Sequence, residues 1–143
     1  MVSDCKSRLF ASSVVKRHGI DPTQLDRLFN ALLVSRLTYA APSWSGFLKE
    51  SDWAFLQAVL NKGNKWGLFP HLRDIHNIFE LADSLLFTHV ISNETHYLLR
   101  LLPPVKITTH DLRPRPHNRI IPLANSRLSR SSFIQRMLLK NSY

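Results

Sequence analysis

Ten acidic residues and seven histidines are the side chains of this sequence that could carry catalysis or bind a metal, and their spacing argues against both uses. Two-metal phosphoryl transfer needs clustered carboxylates, whereas these acids are dispersed. The sequence also contains no glycine-rich phosphate loop, no Gly-x-Ser-x-Gly elbow and no His-Glu-x-x-His pair. We therefore expect no catalytic residue and no enzyme activity. Four acids stand where helices are predicted to begin, and there a carboxylate pairs with free N–H groups: Asp21, Asp52, Asp74 and Asp83.

The histidines are spaced unfavourably for a metal site. His71 and His76 are five residues apart, and His89 and His96 are seven apart, whereas two ligands on one helix are typically about three or four residues apart. We therefore predict no metal and no cofactor. His89 and His96 are interpreted as partly buried residues whose ring nitrogens have hydrogen-bond partners.

Most of the positive charge lies in the last third of the chain. Residues 100–143 carry nine basic residues and one acidic residue, a net +8 of the total +9. A field of one sign favours polyanions, of which nucleic acid is the commonest inside cells, although a solubilising tail is the alternative. Within this region, prolines alternate with arginines from Leu112 to Arg119, which stiffens the backbone and spreads the cations for phosphate contacts. Alternatively, these arginines pair with Asp111 or with helix C-termini.

The three tryptophans, Trp44, Trp53 and Trp66, have the chemistry for stacking on bases. Aromatic residues among leucines at helical spacing more often belong to a core. Trp66 is the best stacking candidate, because two lysines lie just before it. The predicted nucleic-acid-binding residues are Lys62, Lys65, Trp66, Arg113, Arg115, His117, Arg119, Arg127, Arg130 and Arg136.

Helices are the elements that must position these residues. A first helix is predicted from Asp4 to His18, with Leu9, Phe10 and Val14 on its apolar side and a glycine after its end. The strongest pattern follows an Asp21-Pro22 start. Apolar residues recur there at spacings of three and four, which predicts a helix to about residue 41.

Further helices are predicted from residue 51 or 52 to about 65, over 75–79, from about 83 onward and over 94–102. Strand-like alternation is almost absent. The predicted fold is therefore all-α, a small bundle of about five to six helices over residues 1–104. An irregular, basic, Pro/Arg-rich C-terminal extension is expected over residues 105–143, with one or two helical turns at 131–139.

The sequence lacks both an apolar signal segment near residue 1 and a run of roughly 20 apolar residues. We therefore expect an intracellular protein, nuclear or cytoplasmic, with no membrane partner. The single cysteine, Cys5, excludes an internal disulfide.

Five strings of this sequence, in order, resemble the segment that follows the reverse transcriptase domain in non-LTR retrotransposons (LINE, jockey-like). The clearest runs from Leu32 to Trp44 and is similar to that family's Leu-Thr-Tyr-(Ala/Gly)-x-x-x-Trp. The string from Asn61 to Gly67 is similar to its Lys/Arg-Ala-x-Arg motif, and the string from Leu112 to Asn118 to its Leu-Arg-x-Arg-x-His. The other two strings lie at 82–104 and 132–138.

The resemblance covers almost the whole chain and implies a helical thumb, which in polymerases grips the template–primer duplex, followed by a C-terminal extension. The family's catalytic Tyr/Phe-x-Asp-Asp, endonuclease, fingers and palm have no counterpart in this sequence. We therefore expect a non-catalytic C-terminal fragment of an RNA-directed DNA polymerase that binds RNA or DNA backbone and no small-molecule substrate. One alternative is a helical protein–protein interaction module with a solubilising tail, associating through exposed helix faces. Another is a transposon remnant with no selected function.

Overall fold

The computed structural model describes residues 2–107 and 117–140. It confirms the all-α prediction, since 70% of the structure is helical and the described residues form no strand. Val105 and Arg119 form an isolated antiparallel bridge. The α-helices are α1 (Val2–Arg17), α2 (Pro22–Phe29), α3 (Ser35–Thr38), α4 (Ala41–Trp44), α5 (Glu50–Lys65), α6 (Ile75–Ser92), α7 (Arg127–Ser131) and α8 (Phe133–Lys140), with a π-helical segment at Asn30–Val34 and 3-10 segments at Ser45–Phe47 and Tyr97–Leu101.

Contacts divide the chain into two compact units. Unit 1 comprises Met1–Ala41 and Leu48–Glu80, and unit 2 comprises Pro42–Phe47 and Leu81–Tyr143. The boundary predicted between residues 104 and 105 falls inside unit 2. None of the helices in the described ranges is long and apolar enough to cross a membrane.

The helix that begins after Asp21 is the longest helical run of unit 1 predicted from periodicity. Asp21 Oδ2 accepts the backbone N–H groups of Thr23 at 2.9 Å and Gln24 at 3.4 Å, so it caps the helix as expected. The chain then stays helical from Pro22 to Thr38, through the π-helical segment. Its end is sharp, because Ala40 takes a left-handed φ of +50°. The buried residues of this run are Leu25, Phe29, Leu33 and Leu37.

Helix α5 packs closely through a glycine near its end. A Cβ atom at Gly63 would lie 2.8 Å from Phe69 Cε1 and 3.0 Å from Phe29 Cε2, so only glycine admits both rings. The two rings lie 4.6 Å apart between centroids. This close approach explains why the helix carries a glycine there and nevertheless continues to Lys65.

Arg73 joins the segment before α6 to α2 within unit 1. Its Nη2 atom forms an ion pair with Asp26 Oδ1 at 2.6 Å, and its Nη1 atom donates a hydrogen bond to Asn30 Oδ1. Gln57 of α5 meets the same segment, since its Nε2 atom donates to the Arg73 carbonyl oxygen and its Oε1 atom accepts the Ile75 backbone N–H. These polar contacts fix where α6 begins.

Helix α6 corrects two predictions. The turn predicted over 75–79 and the helix predicted from about residue 83 form one helix, because neither glycine nor proline interrupts the sequence between Ile75 and Ser92. Asp83 is therefore a buried mid-helix residue and not an N-cap. Asp74 does cap α6, since its Oδ1 atom accepts the His76 backbone N–H at 2.9 Å.

The core of unit 2 joins α6 to the end of the chain. The helical turns predicted at 131–139 form α8, and α8 supplies core residues to this unit. The short helix α7 (Arg127–Ser131) occupies the end of the segment predicted to be irregular and the first residue of the predicted helical turns. The buried cluster consists of Phe87, Val90, Leu102, Met137 and Leu138.

Candidate nucleic-acid interface

Helices α1 and α5 end beside one another in unit 1. Lys16, in the last turn of α1, donates a hydrogen bond from Nζ to the Trp66 carbonyl oxygen at 2.7 Å. Trp66 is the C-cap of α5, and carbonyl groups at a helix end lack partners within the helix. Gly67 follows with a φ of +64°, and a Cβ atom there would lie only 2.5 Å from Lys16 Nζ. The backbone of this turn is therefore shaped to admit the ammonium group.

Three predicted residues, Lys62, Lys65 and Trp66, come together at this end of α5. Lys62 Nζ lies 4.8 Å from the centroid of the Trp66 ring, a cation–π distance. Both lysine side chains are exposed and the indole is half-buried. Neither lysine forms an ion pair with any residue that the structure describes.

Three further residues of α1, Phe10, Ser13 and Arg17, border the same surface, although none of them was among the predicted binding residues. An open depression of about 560 Å³ is lined by Phe10, Ser13, Lys16, Arg17 and Trp66. Phe10 was predicted to lie on the apolar side of α1, but it is 61% exposed, whereas Leu9 is 2% exposed. A usable signal was present in the sequence: residues 10, 13 and 17 are three and four apart and therefore share one face of a helix.

The cations of this surface have an explanation that needs no ligand. Lys16 and Arg17 lie in the last turn of α1, and Lys62 and Lys65 in the last turn of α5. The negative end of each helix dipole favours cations there. The dipole does not, however, account for a largely exposed phenylalanine in the same depression as Lys16 and Arg17.

In unit 2, the predicted residue Arg136 is occupied by contacts within the fold. Its Nη1 atom forms an ion pair with Asp83 Oδ2 at 2.5 Å. Its Nη2 atom donates to the Pro42 carbonyl oxygen at 3.1 Å and to Ser45 Oγ at 3.2 Å, and its Nε atom donates to the Ser131 carbonyl oxygen at 3.2 Å. The guanidinium thus joins three segments of unit 2, with four of its five N–H donors used within the fold and one, on Nη1, remaining.

His117 is likewise internal to unit 2. It is 7% exposed, its Nε2 atom lies 3.0 Å from the Leu138 carbonyl oxygen, and its Nδ1 atom accepts the Arg119 backbone N–H at 3.3 Å. Because a carbonyl only accepts and a backbone N–H only donates, these two contacts match a ring that donates from Nε2 and accepts at Nδ1. The Arg119 side chain is half-buried and donates from Nη1 to the Pro103 carbonyl oxygen at 2.8 Å.

The remaining predicted residues divide into two pairs. Arg127 and Arg130 lie on α7 with exposed side chains. Arg113 and Arg115 lie outside the described residues. The structure therefore places exposed cations on α7 and at the joint ends of α1 and α5, and it binds Arg136 and His117 into unit 2.

The described residues contain no group of three or more His, Cys, Asp or Glu side chains that could hold a metal ion. The His89 and His96 rings meet edge to face with centroids 5.4 Å apart, and His96 Nδ1 accepts the Leu98 backbone N–H at 3.1 Å. His96 therefore has the predicted backbone partner and is half-buried, whereas His89 is exposed.

No protein-family model, curated protein or solved structure matches this chain. Its function must therefore be inferred from the geometry of its own residues. The surface at which α1 and α5 end has the most suitable chemistry, all of it in unit 1. Lys16, Arg17 and Lys62 lie beside aromatic rings there, and Lys65 is in the same last turn of α5.

Proposed function

We propose that this chain is a non-catalytic C-terminal fragment of a non-LTR retrotransposon reverse transcriptase that binds nucleic acid without sequence specificity. Binding is through the surface at which α1 and α5 end, here called the α1/α5 surface and defined by Phe10, Ser13, Lys16, Arg17, Lys62, Lys65 and Trp66. The observation that carries the binding proposal is the convergence of exposed cations from two helices on one indole. Lys16 and Arg17 line a depression with Trp66, Lys62 lies over its ring, and Lys65 belongs to the same last turn of α5.

Charge and geometry support a contact with phosphates. Lys62 and Lys65 end in ammonium groups that form no ion pair with the described residues, so neutralising a phosphate breaks no salt bridge. Arg17 is also exposed and has a planar guanidinium suited to two phosphate oxygens. Such contacts release counterions and carry no base information, which makes the binding dependent on salt and independent of sequence.

A salt titration tests this proposal. Fluorescence anisotropy with a labelled duplex should give a dissociation constant on the order of micromolar at low salt, weakening as NaCl is raised from about 50 to about 200 mM. If the four cations each neutralise one phosphate, the slope of log K against log salt is about −3 to −4. A flat salt response, or affinity no better than millimolar at low salt, would contradict the binding proposal.

A matched pair of variants locates the surface. Lys62→Gln with Lys65→Gln should reduce the magnitude of the slope by about 2. The control is Arg36→Gln with Lys49→Gln, which removes the same charge from exposed cations elsewhere in unit 1. Lys49 directly precedes α5, whereas Lys62 and Lys65 lie in its last turn, and the 16 residues of this helix span about 24 Å. Equal losses in the two double variants would mean that net charge, and not this surface, determines binding.

The ancestry is supported by the five ordered strings described above, and it has its own test. The genomic DNA preceding the first codon should contain an in-frame or frameshifted polymerase sequence with a Tyr/Phe-x-Asp-Asp motif. An unrelated gene there would argue against the ancestry. The binding proposal would be unaffected, because the salt titration tests it separately.

A helical interaction module is the second candidate, and two exposed leucines favour it. Leu81 and Leu85 lie one turn apart on α6 and are 61% and 63% exposed. Exposed apolar side chains at that spacing form a stripe suited to self-association of two copies. Sedimentation velocity across a range of concentrations distinguishes the candidates. If the chain sediments as a monomer and its Leu85→Lys variant sediments unchanged, self-association through this stripe is excluded.

A further inference from the structure

The depression within the α1/α5 surface differs from a simple phosphate-binding patch. A patch needs only cations, whereas this depression of about 560 Å³ also has Phe10 and Trp66 on its lining. Its volume lies in the range of about 300–1,000 Å³ that small-molecule sites occupy. Phe10 is 61% exposed, so an aromatic face remains in contact with water. Covering that face with another ring would remove apolar surface from water.

The polar groups around the depression are suited to the edge of a flat heterocycle. The Ser13 hydroxyl donates to the Phe10 carbonyl oxygen at 2.7 Å, which leaves its oxygen lone pairs as acceptors. Lys16 Nζ has one of its three donors on the Trp66 carbonyl, so two remain. The Trp66 indole N–H forms no hydrogen bond with the described residues. Both donors and acceptors are therefore present, without the fixed pattern that would select one base.

Only an unpaired base can reach such a site. In a duplex the faces of the bases are covered by their neighbours, and flipping one out costs a few kcal/mol. In a single strand the faces are available, and stacking on aromatic side chains tolerates any base. The phosphates on either side of the base would then lie near Arg17, Lys62 or Lys65, which are all exposed.

We propose that the depression lined by Phe10, Ser13, Lys16, Arg17 and Trp66 binds one unpaired nucleobase, so that this chain prefers single-stranded nucleic acid to duplex. This inference rests on the proposed function, because the cations that bind the phosphates belong to the same surface. It goes further by naming the form of nucleic acid and the atoms that recognise it.

Three labelled probes of equal length test the inference. They are a mixed-sequence single strand, the same strand with abasic sites at every second position, and the corresponding duplex. The natural strand should bind on the order of tenfold more tightly than the abasic strand, which has the same phosphates but fewer bases. It should also bind more tightly than the duplex. The affinity for each probe should fall as salt is raised, because all three probes carry phosphates along strands of the same length.

Phe10→Ala identifies the site. The variant should lose the preference for natural over abasic DNA and keep the salt slope of the unchanged chain, since no charge is removed. Because Phe10 is largely exposed, the fold should tolerate the change. The matched control is Leu72→Ala, which removes an apolar side chain that is 67% exposed and also lies in unit 1. It should retain the preference.

The outcomes separate this inference from the proposed function. Equal affinity for natural and abasic strands, with a steep salt response, overturns the base site and leaves backbone binding intact. A preference that survives Phe10→Ala and also Trp66→Leu overturns the assignment to this depression. Absence of binding to all three probes removes both proposals together.

Discussion

The two units use their cations in different ways. In unit 2, Arg136 has its guanidinium occupied by an ion pair and three further hydrogen bonds, and the neighbouring Asp83 is 6% exposed. In unit 1, Lys62 and Lys65 are exposed, and the Lys62 ammonium group lies over the Trp66 ring. Net charge pointed to the C-terminal third, which carries +8, whereas the cations gathered around aromatic rings lie in the nearly neutral remainder.

This difference shows that charge density along a sequence does not identify a binding surface. A cation is available to a ligand only if the fold has left its donors unused. Unit 1 follows the same rule, because its Arg73 is held by Asp26 and Asn30 while Lys62 and Lys65 form no ion pair with the described residues. Exposure and partners, rather than position in one unit, separate structural cations from binding cations.

The largest effect is expected from Arg136→Ala. The change leaves the buried Asp83 carboxylate without its counter-ion, and breaking such a pair typically costs about 3 kcal/mol or more. The second oxygen of that carboxylate, Oδ1, has no hydrogen-bond partner among the described residues, so nothing there replaces the arginine. Urea unfolding should show the loss.

Asp83→Asn combined with Arg136→Ala provides the control. The double variant should recover part of the lost stability, because no uncompensated buried charge remains. If Arg136→Ala left the unfolding midpoint unchanged and instead weakened DNA binding, Arg136 would belong with the exposed cations and the comparison would fail.

His117→Ala should have the next largest effect. It removes a buried ring that bonds through both nitrogens and meets Phe87 edge to face at 5.8 Å between centroids. Loss of the buried ring and its hydrogen bonds should cost about 2 kcal/mol. His71→Ala, an exposed histidine of unit 1, is the control and should change the free energy of unfolding by less than about 0.5 kcal/mol. An unchanged midpoint for His117→Ala would show that the ring does not support unit 2.

Local patterns predicted much of the fold. The Asp21-Pro22 start, the glycine with positive φ after α1 and the apolar spacing of the following helix depend on neighbouring residues, and all are found in the structure. The partner of Asp83 could not be predicted in this way, because Arg136 is 53 positions along the chain. Its carboxylate was interpreted as an N-cap, since isolated acids most often have that role at helix starts.

Only part of the candidate site was predicted, because a sequence pattern shows neighbours along the chain and not contacts between distant residues. Lys62, Lys65 and Trp66 are neighbours in sequence, so their association was visible as a cluster. Phe10 and Lys16 lie beside these residues only because α1 packs on α5. Lys16 and Trp66, which share a hydrogen bond, are 50 positions apart in the sequence. Phe10 was predicted to face inward because an apolar residue usually does, and its exposure is the informative exception.

Lys16→Met should produce a smaller effect on both stability and binding. Lys16 is a cation of the α1/α5 surface that also bonds to the fold, through the Trp66 carbonyl. Removing the ammonium while keeping an unbranched apolar stem should cost about 1 kcal/mol, the usual value for one hydrogen bond. It should also reduce the magnitude of the salt slope by about 1.

Arg17→Gln is the matched control for this change. It should reduce the slope equally and alter the unfolding free energy by less than about 0.5 kcal/mol, because the Arg17 side chain is exposed. A Lys16→Met variant with full stability would show that its bond to Trp66 adds nothing, and Lys16 would then count as a purely exposed cation.

The smallest effect is expected from Arg127→Gln, and it tests whether exposure alone defines a binding cation. Arg127 is the first residue of α7, where the positive end of the helix dipole repels a cation. Neutralising it should therefore leave unit 2 equally stable or more stable by about 0.3 kcal/mol, an effect kept small by the five-residue length of α7. Because the proposed binding is through the α1/α5 surface, the salt slope and the preference for natural over abasic strands should both stay unchanged. A slope shallower by about 1 would show instead that an exposed cation outside this surface contributes to binding.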